Sequence, residues 1–342
     1  MKIFSISIRP LIVFLAVLIL ASCSQAPTKP LPITKPPAWY LTPPKDTPLD
    51  LYGAGAGKSR EKAVQAALND LASKLGVEVS SQFQLQHKST NSAYAFDEET
   101  TDQKILTEVQ TTTLNQYQVV KTEQTGYDQF YVLVKTDKNA LAFAIRNNLE
   151  QQVETFLRSE KSFLKIHQTG YLTWQFYSNE NNKLPSFKRK LAILQTLKKR
   201  ENTTLYKSYL NDVNQKYNTA KTHTKFFIKA QSDTAQQLQL ALKHMITVSG
   251  FSLVDTESSA TDIIKINATE KTTQAYGFTV VRSQASVELY ENHNLQGSNQ
   301  FTLKGQGLNQ NQASINLQND FKQQLSHKSI AESLGLTTKP TP

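Results

Sequence analysis

The chain of 342 residues has little of what builds reactive sites: one cysteine, two methionines, two tryptophans and six histidines. A single thiol excludes a disulfide framework and any metal site built on several thiolates. His87, His167, His223, His244, His293 and His327 include no pair at four-residue spacing and no His-Glu-x-x-His, so no metal and no cofactor is expected. There is no Gly-x-Ser-x-Gly elbow, which leaves no candidate for nucleophilic catalysis, and the chain is read as a non-enzyme. Long apolar runs are scarce too, and a mean hydropathy of −0.44 excludes a polytopic membrane protein. With 39 % apolar and 9 % aromatic residues the chain can still bury real cores.

The formal net charge of +10 invites a nucleic-acid reading, but the excess is local. Residues 146–222 hold 14 Lys+Arg against 6 Asp+Glu, whereas residues 24–145 hold 12 against 13 and residues 223–342 hold 10 against 9. Lys188, Arg189 and Lys190, with Lys198, Lys199 and Arg200, locate the excess. A solvated helical face is the plain reading of these six residues. The functional alternatives are an anionic surface (lipopolysaccharide, phospholipid head groups or peptidoglycan) and an acidic patch on a protein partner. Nucleic acid is not an expected partner, because the amino terminus addresses the chain out of the cytoplasm.

That address runs from Met1 to Cys23: a basic start with Lys2 and Arg9, an apolar stretch from Leu11 to Leu20, then Leu20-Ala21-Ser22-Cys23. The stretch is shorter than the ~20 residues that span a bilayer, so it reads as a secretory signal. Leu20-Ala21-Ser22-Cys23 resembles the lipobox of bacterial lipoproteins. The resemblance implies cleavage between Ser22 and Cys23, lipid on the Cys23 sulfur with palmitate or another acyl chain on the new amino group, and, with Ser24 following, export to the outer membrane. Two or three acyl chains hold a protein stably, whereas one holds it only marginally. Eight of the twelve prolines lie between Pro27 and Pro48, marking a polyproline-rich tether.

The mature chain divides into a tether at 23–48, an α+β domain at 49–140, a basic helical segment at 141–222, a second α+β domain at 223–336 and a tail at 337–342, after a signal peptide at 1–22. In the first domain Ser59 caps a helix whose stripe is Ala63, Ala67, Leu71 and Leu75, and Gly76 is placed to stop it. Val77, Val79, Phe83 and Leu85 alternate as a strand would. The segment from Leu106 to Thr122 suggests another strand, and Phe130 to Val134, apolar on both faces, a central one. In the middle segment Leu141, Ile145, Leu149, Val153 and Leu157 recur every four residues, and Phe187, Leu191 and Leu194 open a second run. With Asn179 to Pro185 as a loop they predict a long antiparallel helical hairpin.

The third segment predicts a strand at Lys225 to Ala230, a helix from Asp233 with Leu238, Leu242 and Met245 inward, and a strand at Phe251 to Val254. Further strands are expected at Ile263 to Ile266, Thr279 to Tyr290 and Gln300 to Lys304, with His293 to Gly297 as a turn, and a last helix from about Asn309 to Leu334, ended by Gly335.

Gly53-x-Gly55-x-Gly57-Lys58-Ser59 is not a phosphate loop: the Walker pattern needs its first glycine at Tyr52. A tight strand-to-helix turn is the reading. Gly55, Gly57, Ala63, Asp70, Leu71 and Leu75 match Gly305, Gly307, Ala313, Asp320, Phe321 and Leu325 without a gap, which suggests an internal repeat. Asp97-Glu98-Glu99 reads as a solvated acidic loop.

Pro37-Ala38-Trp39, the Leu51 to Gly57 turn, the helix from Ala63 through Leu71-Ala72 to Leu75, and Phe130-Tyr131-Val132-Leu133-Val134 resemble the Lpp-twenty family of bacterial outer-membrane lipoproteins over roughly residues 37–150. The resemblance implies an envelope lipoprotein without catalytic residues, in some members associated with flagellar basal structures. The added helical and third segments weaken a flagellar expectation. The expected function is a lipid-anchored scaffold or assembly role in the cell envelope, held in the outer membrane facing the periplasm, with envelope protein partners or a second copy of the chain. The alternative is a periplasmic module that binds lipid or glycan.

Overall fold

The computed structural model describes residues 35–90, 104, 107–111 and 117–336. Ser22, Cys23, the tether up to residue 34, Asp97-Glu98-Glu99 and the tail lie outside the described residues. The described residues form two compact units, one from residues 35–74 and 117–138, the other from 75–111 and 139–336.

The first unit contains α1 (Ala38–Leu41), β1 (Asp50–Gly57), the first half of α2 (Arg60–Thr90), β2 (Gln118–Gln124) and β3 (Phe130–Asp137). Its sheet has the order β1-β3-β2, antiparallel throughout, with β3 central as its double-sided apolarity predicts. Gly53, Gly55 and Gly57 bring α2 down onto the β1 backbone. A Cβ at Gly55 would stand 2.1 Å from the Ala67 amide nitrogen and 2.4 Å from the Ala63 carbonyl oxygen. On the other face the Tyr40 ring packs on Tyr131 at 4.7 Å between centroids, and Trp39 Nε1 donates to Glu123 Oε2 at 3.2 Å. The Pro-Ala-Trp entry therefore packs against the sheet's second side at β3 and the end of β2.

The strand expected at Val77 to Leu85 does not form, and Gly76 does not end the helix: α2 runs unbroken to Thr90. Val79 extends the buried stripe of Ala63, Ala67, Leu71 and Leu75, while Val77 is 68 % exposed. Alternation would put the two valines on one face; a 3.6-residue turn parts them. The continued stripe outweighs the ~1 kcal/mol that a mid-helix glycine costs. Residues 107–111 are likewise helical, and the strand expected from Leu106 to Thr122 is displaced to β2.

In the second unit the middle segment is four helices rather than one two-helix hairpin: α3 (Lys138–Phe163), α4 (Tyr171–Asn181), α5 (Leu184–Leu197) and α6 (Thr204–His223). Asn179 to Pro185 is not a loop, because α4 runs to Asn181 and Pro185 lies in the first turn of α5, where its missing N–H costs nothing. Leu157 is 49 % exposed, and Phe156 and Glu160 hold the buried positions beside it. The helices and the second α+β segment belong to one compact unit.

That segment adds β4 (Lys225–Ala230), α7 (Asp233–Val248), β5 (Ser252–Leu253), β6 (Asp262–Ala275), β7 (Phe278–Glu291), β8 (Asn294–Gly307), α8 (Gln310–Ser326) and α9 (Ile330–Ser333). Its sheet has the order β5-β4-β6-β7-β8, β4 running parallel to β5 and β6, and β6 to β8 forming an antiparallel meander. Leu238, Leu242 and Ile246 of α7 and Leu317 and Phe321 of α8 share a core with Ile264, Ile266, Val287 and Leu303 of the sheet, with Met245 partly buried against it. The opposite sheet face is mostly polar and exposed, with the apolar Phe227, Ile263 and Val280 buried or half-buried on it. The expected turn at His293 to Gly297 is instead Asn292-His293, both at positive φ, as a two-residue hairpin needs. The last helix breaks at His327, and Ser329 with Glu332 forms a capping box that starts α9; Gly335, at φ +68°, follows its end.

The predicted repeat has a physical basis. At β8 and α8, a Cβ on Gly305 would stand 1.9 Å from the Ala313 carbonyl oxygen, and one on Gly307 2.6 Å from the Ala313 nitrogen. Asp320 Oδ2 accepts from the Lys304 amide at 2.9 Å just as Asp70 Oδ2 accepts from the Ala54 amide at 3.0 Å. Each unit thus carries one edge strand on which a helix lies against bare backbone.

Candidate functional site

The second unit gathers its buried charge where the helical segment meets the sheet. Asp262, the first residue of β6, stands opposite Glu291, the last of β7, and both are buried. Asp262 accepts the Tyr171 amide with both carboxylate oxygens, at 3.0 and 2.9 Å, and the Thr261 hydroxyl at 2.7 Å. It therefore supplies the cap for α4 that Gly170, which has no side chain, cannot. Gly170 is at φ +94°, and a Cβ there would lie 2.9 Å from Asp262 Oδ2, so the position needs glycine. Burial pushes the Asp262 carboxyl up to about 7; the Thr261 and Tyr171 hydrogen bonds oppose the rise and the Glu291 charge adds to it. Burial also raises Glu291, opposed by His167, whose Nδ1 lies 2.7 Å from Glu291 Oε2. Glu291 Oε1 has no partner among the described residues. The cluster ties α4 and the loop before it to the ends of two strands through a carboxyl that gains a proton near neutrality.

Two further buried carboxylates hold the helices together. Glu160 of α3 accepts from Tyr177 at 2.8 Å and pairs with Lys216 at 2.7 Å; Glu180 of α4 accepts from Tyr209 and from Lys183, each at 2.6 Å. Burial raises the Tyr177 and Tyr209 phenols, and the adjoining carboxylates add to it. Burial pulls Lys216 down, but its bonds to Asp212 and Glu160 prevail and the net shift is upward. Beside this network a cleft of about 480 Å³ opens, lined among others by Leu164, Gln168, Thr173, Tyr177, Gln215 and Lys216. Its size suits a small ligand. Thr173 Oγ1 has no partner among the described residues.

The six basic residues singled out from the sequence do not form one patch. Lys188, Lys199 and Arg200 are exposed. Arg189 and Lys190 turn to Glu108, at 3.6 and 3.5 Å; Lys190 also donates to Asn148, and Lys198 donates to Asn139. Among the described residues no group of three or more His, Cys, Asp or Glu side chains is placed to hold a metal ion, and no helix is long and apolar enough to cross a membrane. The buried carboxylates escaped the sequence reading because their partners lie far off in the chain: His167 meets Glu291, and Tyr171 meets Asp262.

Residues 37–137 match the family model of the LPP20 lipoprotein, a range that takes in the first unit and the residues between its two segments in the chain. No curated protein sequence matches the chain. Among solved structures the chain is similar to a secreted protein of Helicobacter pylori, at 17 % identity and a TM-score of 0.47, over 80 % of this chain and 94 % of that one. It is similar to a minor lipoprotein of Acinetobacter baumannii at 16 % identity and a TM-score of 0.26, over 35 % of this chain and 98 % of that one. A lipoprotein of Neisseria meningitidis matches at 10 % identity and a TM-score of 0.23, over 31 % of this chain and 99 % of that one.

Proposed function

We propose that the chain is a lipid-anchored, non-enzymatic lipoprotein with a scaffold or assembly role in the cell envelope, attached to the outer membrane through Cys23 and facing the periplasm. The observation that carries this reading is the LPP20 lipoprotein match over residues 37–137, which begins within the proline-rich tether that follows Leu20-Ala21-Ser22-Cys23. The buried carboxylates support a binding or structural role, since each is engaged by side chains or amides that join elements. The test is metabolic labelling with palmitate in wild type and Cys23→Ala, followed by membrane fractionation. Labelling that persists in the variant, or a variant that stays in the membrane fraction through a high-salt wash that strips electrostatic contacts, sinks the reading.

The 480 Å³ cleft favours a second reading, an envelope module that binds lipid or glycan. Added muropeptides or lysophospholipid should then raise the Tm of the full chain, and Gln168→Trp, which fills the cleft, should abolish the rise. No shift with either ligand leaves the scaffold reading alone.

A further inference from the structure

Three cations stand side by side on the polar face of the larger sheet. Lys271 of β6 is the cross-strand partner of Arg282 of β7, and Arg282 is the partner of Lys304 of β8. All three are exposed. Neighbouring strands lie about 4.8 Å apart, so the row packs three like charges across about 10 Å. Like charges directly opposite one another destabilise a sheet. At the far end of the same face the cations are neutralised or covered: Lys229 pairs with Glu257 at 3.0 Å, and Lys265 lies over the Tyr290 ring at 3.9 Å. Among the described residues no carboxylate is within ion-pair distance of Lys271, Arg282 or Lys304.

The row sits next to the sheet's apolar end. The β6–β7 hairpin turns at Tyr276 and Gly277, and Tyr276, at φ 50°, holds a backbone conformation that costs an aromatic residue energy. Its side chain is 101 % exposed; Leu308, just past β8, is 70 % exposed and Phe278 39 %. Arg282 is four residues behind Phe278, about 13 Å along the strand. Long basic side chains reach forward from there while their stems stay on the protein. Exposed aromatic and aliphatic side chains at a tip, with unpaired cations one step behind, match the order of a bilayer surface: apolar boundary first, then phosphates.

We propose that this end of β6, β7 and β8 is a contact site for an anionic phospholipid surface, a second membrane contact that does not depend on acylation of Cys23. The test is co-sedimentation of the full chain carrying Cys23→Ser with vesicles of phosphatidylcholine alone and of phosphatidylcholine with phosphatidylglycerol. Binding should rise with phosphatidylglycerol and fall with salt. Each Lys or Arg changed to Gln at 271, 282 or 304 should weaken it about fivefold, and all three together on the order of a hundredfold. The triple variant relieves repulsion and so should melt no lower than its parent. Tyr276→Gly, which suits the turn, should also keep or raise the Tm while weakening vesicle binding. Unchanged binding in the triple variant, or binding indifferent to phosphatidylglycerol, overturns the proposal. So does tight binding to soluble dextran sulfate with no effect of Tyr276→Gly, which would assign the row to an acidic glycan. Because every variant carries Cys23→Ser, failure here leaves the lipid-anchor reading untouched.

Discussion

Asp262 and Glu291 face each other across β6 and β7, both buried, and only Glu291 has an imidazole beside it. A carboxyl raised from 3.8 to about 7 on folding disfavours the folded state once it is ionised. Its contribution is complete below the unfolded value and is lost as pH rises through about 7. Wild type should therefore lose stability between about pH 4 and pH 7, by at most on the order of 4 kcal/mol from this group, and level off above that. Asp262→Asn should flatten the dependence. Urea midpoints across that range decide it, and equal slopes in the two proteins would refute the assignment.

Gly55→Ala and Gly305→Ala each drive a methyl into helix backbone, and a cost of about 3 kcal/mol or more is expected for each. Gly126→Ala is the control: φ is +79° and nothing lies within 4 Å of the added carbon, so only backbone strain of about 1 kcal/mol remains. Thermal melts of the three variants should separate cleanly.

Lys216→Met removes the cation that Glu160 and Asp212 share at 2.7 Å each. Glu160 keeps Tyr177 but loses its counter-charge in a buried place, and a loss of about 2 kcal/mol is expected. Lys216→Met combined with Glu160→Leu should recover much of it, as a double-mutant cycle would reveal.

The six basic residues should separate by experiment as they do in space. Changing Lys188, Lys199 and Arg200 together to Gln should alter stability by less than about 0.5 kcal/mol, so any salt-dependent loss of binding to anionic envelope material can be read directly. Arg189→Gln with Lys190→Gln strips both cations from Glu108 and should lower the Tm.

Periodicity made most of the fold legible. The Leu141 to Val153 stripe, the Ala63 to Leu75 stripe and the apolar β3 all lie where their spacing puts them, and the Gly-x-Gly repeat was visible before its purpose was. The errors came where two local rules compete. Gly76 and the alternating Val77 and Val79 argued for a stop and a strand, but Val79 also continued a four-residue stripe, and burial chose the stripe. Pro185 looked like a breaker and serves as a starter. The candidate sites were mostly illegible for a different reason. Lys271, Arg282 and Lys304 lie in a segment whose charge nearly balances, and only strand register lines them up. Asp262 and Glu291 are ordinary acids in the chain and become coupled only when two strands pair in register.

The glycine-backed helices also bear on how the chain reaches its fold. Gly53 with Ala67 and Leu71, and Gly305 with Ala313 and Leu317, are contacts between near neighbours in the chain, so each closes a short loop at small entropic cost. Pairing β1 with β3, which joins Asp50 to Asp137, has to wait for a far longer closure. Folding is thus expected to begin at local closures, the two ready-made strand–helix corners and, in the larger sheet, the tight hairpins of β6 to β8, with β3 and β4 recruited later onto edges that already exist.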